Sequence, residues 1–258
     1  MNARVQADAP LADKVALVTG GSKRLGRRIC LALAGAGCDV VVHCNRSRAD
    51  AEALAGEIRG LGRQAWCVEG DFSNPYAADA TMDGAWEMAG WVDVLVNNAS
   101  EWSHAELADA TVEETERLWR VNCLSPVRLA RAMREKAEAA VASGMLPDHW
   151  RGSVVNVLDR DIARRSAGRY PYWSSKRALA DFTECAALEF APRIAMNGVA
   201  PGPVLAPESP ALSEPAGELP LGLRPAPADV AAAVVYLASA PSVTGQILYV
   251  DSGQRLLG

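Results

Sequence analysis

Residues 15–26 read VALVTGGSKRLG. A short apolar run ends in a threonine and two glycines, and a helix-length stretch, LGRRICLALAGAG, begins at Leu25. A strand that passes through glycines into a helix aims backbone N–H groups and the positive helix end at one point. That arrangement suits a pyrophosphate. The context that gives the glycines this meaning, strand before and helix after, is present on both sides. Gly20, Ser22, Lys23, Arg24, Leu25 and Gly26 are therefore candidate nucleotide contacts. Arg24 stands where such turns often carry a third glycine; it gives up backbone freedom and brings a cation toward a phosphate or a ligand edge.

The same alternation continues outward from this turn. Strands are expected at 15–20, 38–44, 64–71, 91–100, 153–159, 194–202 and 247–253. Helices are expected at 25–37, 49–62, 112–144, 172–190 and 227–239, the third of them unusually long. Strands that are continuous apolar runs separated by helices predict a parallel sheet covered on both faces. Right-handed crossovers then give a doubly wound α/β sheet of about seven strands, with ligands at the carboxyl ends of the strands. Residues 1–12 read as a flexible lead-in and 13–258 as one domain. The Pro-rich segment 204–225 reads as a mobile flap beside the site, or else as a plain surface insertion.

Composition narrows the function classes. Half of the 258 residues are apolar and the net charge is −5, which offers nothing to a nucleic acid or an anionic membrane. No run is apolar for long enough to span a bilayer, and the first residues lack the apolar segment of a signal peptide. Six scattered cysteines without a CxxC pair suggest reduced thiols and a cytoplasmic protein. His43, His104 and His149 have no metal-ligand spacing, so no metal is expected.

The end of the second strand addresses cofactor choice. Enzymes that prefer NAD place a carboxylate there to hold the ribose hydroxyls. This chain instead reads His43-Cys44-Asn45-Arg46-Ser47, with no carboxylate before Asp50. Arg46 and Ser47 can bond a 2′-phosphate that a carboxylate would repel, so NADP(H) is expected. Asp71, ending the third strand, either accepts from an adenine amino group or caps the helix that follows.

Tyr172 and Lys176 lie four residues apart in a helical stretch, one turn from each other on one face. Taken with the TGGSKRLG turn, the Asn97-Asn98-Ala99 run, Asn122 in the long helix and Pro201-Gly202, they resemble the short-chain dehydrogenase/reductase family. The likeness covers nearly the whole chain, with the motifs in family order. Within it, TGGSKRLG, HCNRS, NNASEW and the spacing of Asp159, Tyr172 and Lys176 are similar to the pteridine reductases and dihydromonapterin reductases.

The resemblance implies a single-domain Rossmann-type fold and NADP(H) as cofactor. It assigns His43 and Asn45 to the cofactor's 2′-phosphate end, and Asn98, Ala99, Pro201 and Gly202 to its remaining contacts. It further implies that Tyr172 delivers a proton and that Lys176 lowers the phenol's pKa and holds the nicotinamide ribose. Asn122 would hold a water that links Lys176 to solvent.

Asp159 narrows the expected substrate. Most members of the family carry a serine there, whose hydroxyl can donate to a carbonyl; an ionised carboxylate only accepts. A pterin ring offers N–H donors and protonatable nitrogens, so an acidic residue finds a partner in either protonation state. The likeness also places Ser100 and Arg24 on the pterin edge, and Trp102 as a wall that sandwiches it, unless Trp102 is a mere surface aromatic. Tyr170 and Trp173 are either pocket wall or core. The expected activity is NADPH-dependent reduction of a dihydropterin, with dihydrofolate as a related substrate.

The alternatives are a carbonyl or 3-oxoacyl reductase that tolerates Asp159, and a non-catalytic NADP-binding sensor. A sensor has no need of Tyr172, Lys176 and Asn122 together. Partners are expected to be a small-molecule substrate and further copies of the chain in a homotetramer, as the family resemblance implies.

Overall fold

The first strand, β1 (Val15–Val18), is short and wholly buried, and the chain turns at once through Thr19 and Gly20 into α1 (Arg24–Gly35). The computed structural model describes residues 9–103, 105–164, 168–204 and 219–257. Most of the expected flap, residues 205–218, lies outside these, as do residues 1–8 of the expected lead-in and His104. Within the lead-in, Leu11 is 3% exposed and its N–H donates to the Ala36 carbonyl at 3.0 Å. The packed unit therefore starts ahead of residue 13.

The chain continues through β2 (Asp39–Cys44), α2 (Arg48–Gly60), β3 (Ala65–Glu69), α3 (Ala77–Ala89) and β4 (Val94–Asn97). Then follow α4 (Val112–Trp119), α5 (Ser125–Ala142), β5 (Gly152–Val157), α6 (Tyr170–Glu189), β6 (Ile194–Pro201), α7 (Pro227–Ser239) and β7 (Ile247–Val250). The seven strands are all parallel, in the order β3-β2-β1-β4-β5-β6-β7. The order reverses between β1 and β4, and that switch point opens a crevice at the carboxyl edge of the sheet.

Alternate residues of each strand serve opposite faces. Ala16, Val18, Val40 and Val42 pack with Ile29 and Leu33 of α1, Leu54 and Ile58 of α2, and Val230 and Val234 of α7. Val15, Leu17, Val41 and Leu95 pack with Met82 of α3, Leu129 and Met133 of α5, and Phe190 after α6. A strand with no polar face is what a sheet covered on both sides demands. Among the described residues, no helix is long and apolar enough to cross a membrane.

The single helix expected over 112–144 is two helices joined by a π-helical turn, Arg120–Leu124. Pro126 is the reason at hand: it has no N–H to offer the carbonyl of Asn122 four residues back. Ser125 N–H reaches instead to the Arg120 carbonyl. Such turns widen a helix locally and often mark functional places. Here the widened turn carries Asn122.

Candidate active site

A cleft of about 1590 Å³ runs along the carboxyl ends of β1, β2, β4 and β5. The glycine turn forms its floor at one end. Gly20 has φ +60°, and a Cβ there would stand 3.0 Å from the Ala99 Cα. At Gly26 a Cβ would meet the Gly20 carbonyl oxygen at 2.1 Å, so helix α1 can start this close to the turn only with a glycine. Arg24 has φ 49°, a left-handed conformation that glycine would take without strain. That is the physical content of the arginine that replaces a third glycine.

The turn is tied down by neighbouring strands. Thr19 Oγ1 accepts from the N–H groups of Asn98 and Ala99, each at 2.9 Å. Asn98 Nδ2 donates back to the carbonyls of Thr19 at 2.8 Å and Gly20 at 3.1 Å. Asn98 and Ala99, expected as cofactor contacts, border the cleft, but the Asn98 amide is committed to shaping the turn.

The His43 side chain is committed in the same way. It borders the cleft, yet it is 2% exposed and its imidazole is spent on backbone. Nδ1 accepts from Gly20 N–H at 3.0 Å, which leaves Nε2–H to donate to the Gly70 carbonyl at 3.0 Å. The ring lies flat on Phe72, with centroids 4.4 Å apart. Burial pushes its pKa down to about 4, so the ring is neutral, as the Gly20 bond requires.

The remaining candidate residues of this end gather around the same cleft. Ser22 Oγ donates to Ser47 Oγ at 3.3 Å, with Asn45 and Arg46 exposed beside them on the cleft wall. Lys23 is paired with Asp50 at 2.9 Å, and Leu25 is half-buried against the α1 side of the core. Asp71 Oδ1 accepts from Ser73 N–H at 3.0 Å, closing a turn well before α3. That bond, with smaller help from Arg46 and Asn45, holds the Asp71 carboxyl below its ordinary range. Pro201 and Gly202 close the far wall; Gly202 N–H donates to the Val250 carbonyl at 2.9 Å. Glycines at a helix start, serines and cations at the end of β2, and no carboxylate in that strand end make a donor set that fits a phosphorylated dinucleotide.

At the other end, Tyr172 and Lys176 project from the first turns of α6. The Tyr172 hydroxyl donates to Asp159 Oδ2 at 2.8 Å. Burial first, and then the carboxylate of Asp159, push the phenol well above its ordinary pKa. The lowering expected from Lys176 does not outweigh these two causes. Lys176, 2% exposed, donates to the Val157 carbonyl at 2.8 Å. Burial drops the Lys176 pKa to about 8, against the pull of Asp159. The Asp159 carboxyl is raised above the usual range, first by burial and then by Asp161, with Tyr172 and Lys176 opposing. The three groups thus form a coupled, partly desolvated set able to hold and pass a proton.

Asn122 is fully buried and does not border the cleft. Its Oδ1 accepts from Ser100 Oγ at 3.1 Å and Glu101 N–H at 2.8 Å. Its Nδ2 donates to the Glu101 carbonyl at 2.9 Å and Ser175 Oγ at 3.1 Å. An amide with four protein partners has nothing left for a water. The side chain thereby joins the loop after β4 to helix α6.

Trp102 is 43% exposed and meets the Tyr172 ring edge-on at 5.6 Å, so it is a wall of this cleft. Trp173 is anchored outside it through Nε1, which donates to the carbonyls of Asp161 and Arg164. The sequence reading missed Glu101, Arg117, Asp161 and Arg169, which also border the cleft. The repeat of aspartate in Asp159-Arg160-Asp161 could have pointed to the third of these. Nothing local pointed to Arg169.

Comparison with known proteins agrees with this fold. An uncharacterized oxidoreductase of Mycobacterium tuberculosis is 33% identical over 252 residues, 94% of this chain and 92% of the relative. The versicolorin reductase of Emericella nidulans is 31% identical over 265 residues, 94% of this chain and 96% of that one. Among solved structures, FolM alternative dihydrofolate reductase 1 from Brucella canis, complexed with NADP, has a TM-score of 0.87 at 33% identity. That match covers 96% of each chain. Residues 14–215 match the short chain dehydrogenase family itself, and the protein belongs to that family of oxidoreductases.

Proposed function

We propose that the chain is an NADPH-dependent reductase of dihydropterins, with dihydrofolate as a related substrate. The observation that carries this reading is the bond from Tyr172 hydroxyl to Asp159 Oδ2. A serine at this position would donate to a carbonyl. The raised carboxyl of Asp159 can carry a proton toward a ring nitrogen or accept from a ring N–H. The NADP complex of FolM, named as an alternative dihydrofolate reductase, supports both the cofactor and the substrate class.

In this reading Ser22, Arg46 and Ser47 hold the 2′-phosphate, and the glycine turn with the start of α1 holds the pyrophosphate. When bound, the reduced nicotinamide supplies hydride. Trp102 orients a flat heterocycle, while Arg24 and Ser100 reach its edge. Asp159 and Tyr172 act as one proton-donating pair, and Lys176 favours the ionised member by its charge. Asn122 acts by position, holding the Ser100–Glu101 backbone against α6. Pro201, Gly202, Val204 and Arg224 complete the wall, and exposed Leu248 on edge strand β7 supports self-association, expected as a homotetramer.

The test is NADPH oxidation across a panel of dihydropterins, dihydrofolate and simple ketones, by wild type and Asp159→Ser. Pterin turnover that is lost in the variant supports the reading. A second reading, an NADPH-dependent carbonyl or ketoacyl reductase, is favoured by the likeness to versicolorin reductase. It predicts ketone reduction in the wild type that improves in Asp159→Ser.

A further inference from the structure

Asp161 and Arg169 sit against the Asp159–Tyr172 pair from two different segments. Asp161 belongs to a short helical turn, Arg160–Ala163, that follows β5. Its N–H donates to Asp159 Oδ1 at 2.8 Å, and its carbonyl accepts from Trp173 Nε1 of α6 at 2.9 Å. The residue is only 8% exposed, and its carboxylate is neutralised from both sides. Arg160 Nε approaches Oδ1 at 3.2 Å, and Arg169 Nη2 donates to Oδ2 at 2.9 Å.

Arg169 immediately precedes α6. It has φ 56°, a conformation that a residue with a Cβ keeps only where its surroundings hold it there. Its guanidinium lies over the Trp102 ring, 5.5 Å from the centroid. One side chain thus touches the aromatic wall delivered by the loop after β4 and the acid delivered by the turn after β5. Both Asp161 and Arg169 border the cleft.

We propose that Asp161 and Arg169 are positioning residues. Their ion pair locks Trp102 and the Asp159 turn into one arrangement and balances the charge seen by the Asp159–Tyr172 pair. The proposal rests on the reading of that pair as the proton donor.

The charge balance gives it a signature that packing alone lacks. Tyr172 and Lys176 face Asp159 from α6, and Asp161 faces it from its own turn. Asp159, Asp161 and Arg169 act on Tyr172. The Asp161 carboxylate raises both partners, its backbone N–H lowers Asp159, and Arg169 opposes the carboxylate at Tyr172. Removing Arg169 leaves the Asp161 carboxylate less compensated and moves protonation of Asp159 to higher pH. Removing the Asp161 charge moves it to lower pH.

The experiment is a pH titration of the full chain saturated with NADP, followed by carboxyl-¹³C NMR of labelled aspartate. Asp159→Asn identifies the Asp159 signal. Asp161→Asn is expected to lower the Asp159 midpoint, and Arg169→Ala to raise it, each by about half a unit or more. Arg169→Gly takes the left-handed φ without strain, folds where alanine is disfavoured, and is expected to shift the midpoint as alanine does. Arg169→Lys keeps the charge and should stay near wild type. Midpoints that do not move in Arg169→Gly, or that move the same way for Asp161→Asn and Arg169→Gly, overturn the proposal.

A parallel assay with a dihydropterin should show KM raised more than kcat is lowered in Arg169→Gly. If the wild type turns over no dihydropterin, the substrate reading fails, while the titration still decides the role of the ion pair.

Discussion

The Tyr172 hydroxyl donates to Asp159 Oδ2 at 2.8 Å, so the phenol and the carboxyl titrate as one unit. Both are raised above their ordinary ranges, the phenol in part because the carboxylate next to it disfavours a second negative charge. The proton-carrying form of the pair is therefore the form that grows on acidification. Rates of reduction under kcat/KM conditions should rise as the pH falls through the raised carboxyl pKa. In Asp159→Asn this acidic limb should vanish, with the rate down by about 10²–10⁴-fold. The phenol, relieved of its anionic neighbour, should titrate at lower pH. A pH–rate profile of both proteins checks this, and an unchanged acidic limb in the variant would count against the pair.

Arg46 stands exposed at the end of β2, beside the Ser22–Ser47 contact. A charged hydrogen bond to a phosphate contributes about 1.5–3 kcal/mol. Arg46→Ala should weaken NADPH binding by about tenfold or more and leave NADH binding nearly unchanged. Fluorescence titration with each cofactor reads the difference.

Gly26 cannot be enlarged without moving the turn. A Cβ would meet the Gly20 carbonyl oxygen at 2.1 Å and Asn98 Nδ2 at 2.7 Å, both parts of the same braced loop. Gly26→Ala should lower cofactor affinity at least about tenfold, and it should also lower the melting temperature by several degrees. By contrast, Gly35→Ala, on the same helix with nothing within 4 Å of its Cβ, should leave cofactor affinity unchanged.

His43 gives the fold a defined acid sensitivity. Its pKa lies near 4 in the folded protein against 6.5 for the free group, so unfolded chains bind the proton first. Stability from this residue is complete above pH 6.5 and is lost progressively as the pH falls toward 4. The loss amounts to about 3 kcal/mol at most. Urea denaturation at several pH values should show this slope. In His43→Gln the part of the slope due to this residue should disappear, at some cost in stability from the lost stack on Phe72.

Asn122 is braced by four protein bonds, two of them to Glu101 backbone. Asn122→Ala leaves that backbone and Ser175 short of partners, which costs about 1–3 kcal/mol. Thermal unfolding should register it, and kcat should fall through displaced Ser100 and Lys176. Asn122→Asp keeps the acceptor and loses the two donors, so it should be damaging as well.

Much of this protein could be read from local pattern. The VALVTGGSKRLG turn, the apolar strands with no polar face and the Tyr172–Lys176 spacing depend on neighbours in sequence, and their geometry follows from short-range sterics and helical period. What escaped was set by long-range contact. The π-helical turn depends on Pro126, yet its meaning depends on where Asn122 then points. His43 belongs to the run that marks the phosphate end, but burial against Phe72 turned its ring to the backbone instead.

The sequence by itself determined the parallel α/β fold, the family and a site built from the turn after β1 and the start of α6. Only the tertiary structure decided that the phenol donates to Asp159 and that Lys176 donates to the Val157 carbonyl. It alone brought Arg169 and Trp102 together from segments 67 residues apart. The physical reason is that backbone pattern is local, whereas a proton's affinity depends on every charge and every loss of water within a few ångströms, whatever the distance along the chain.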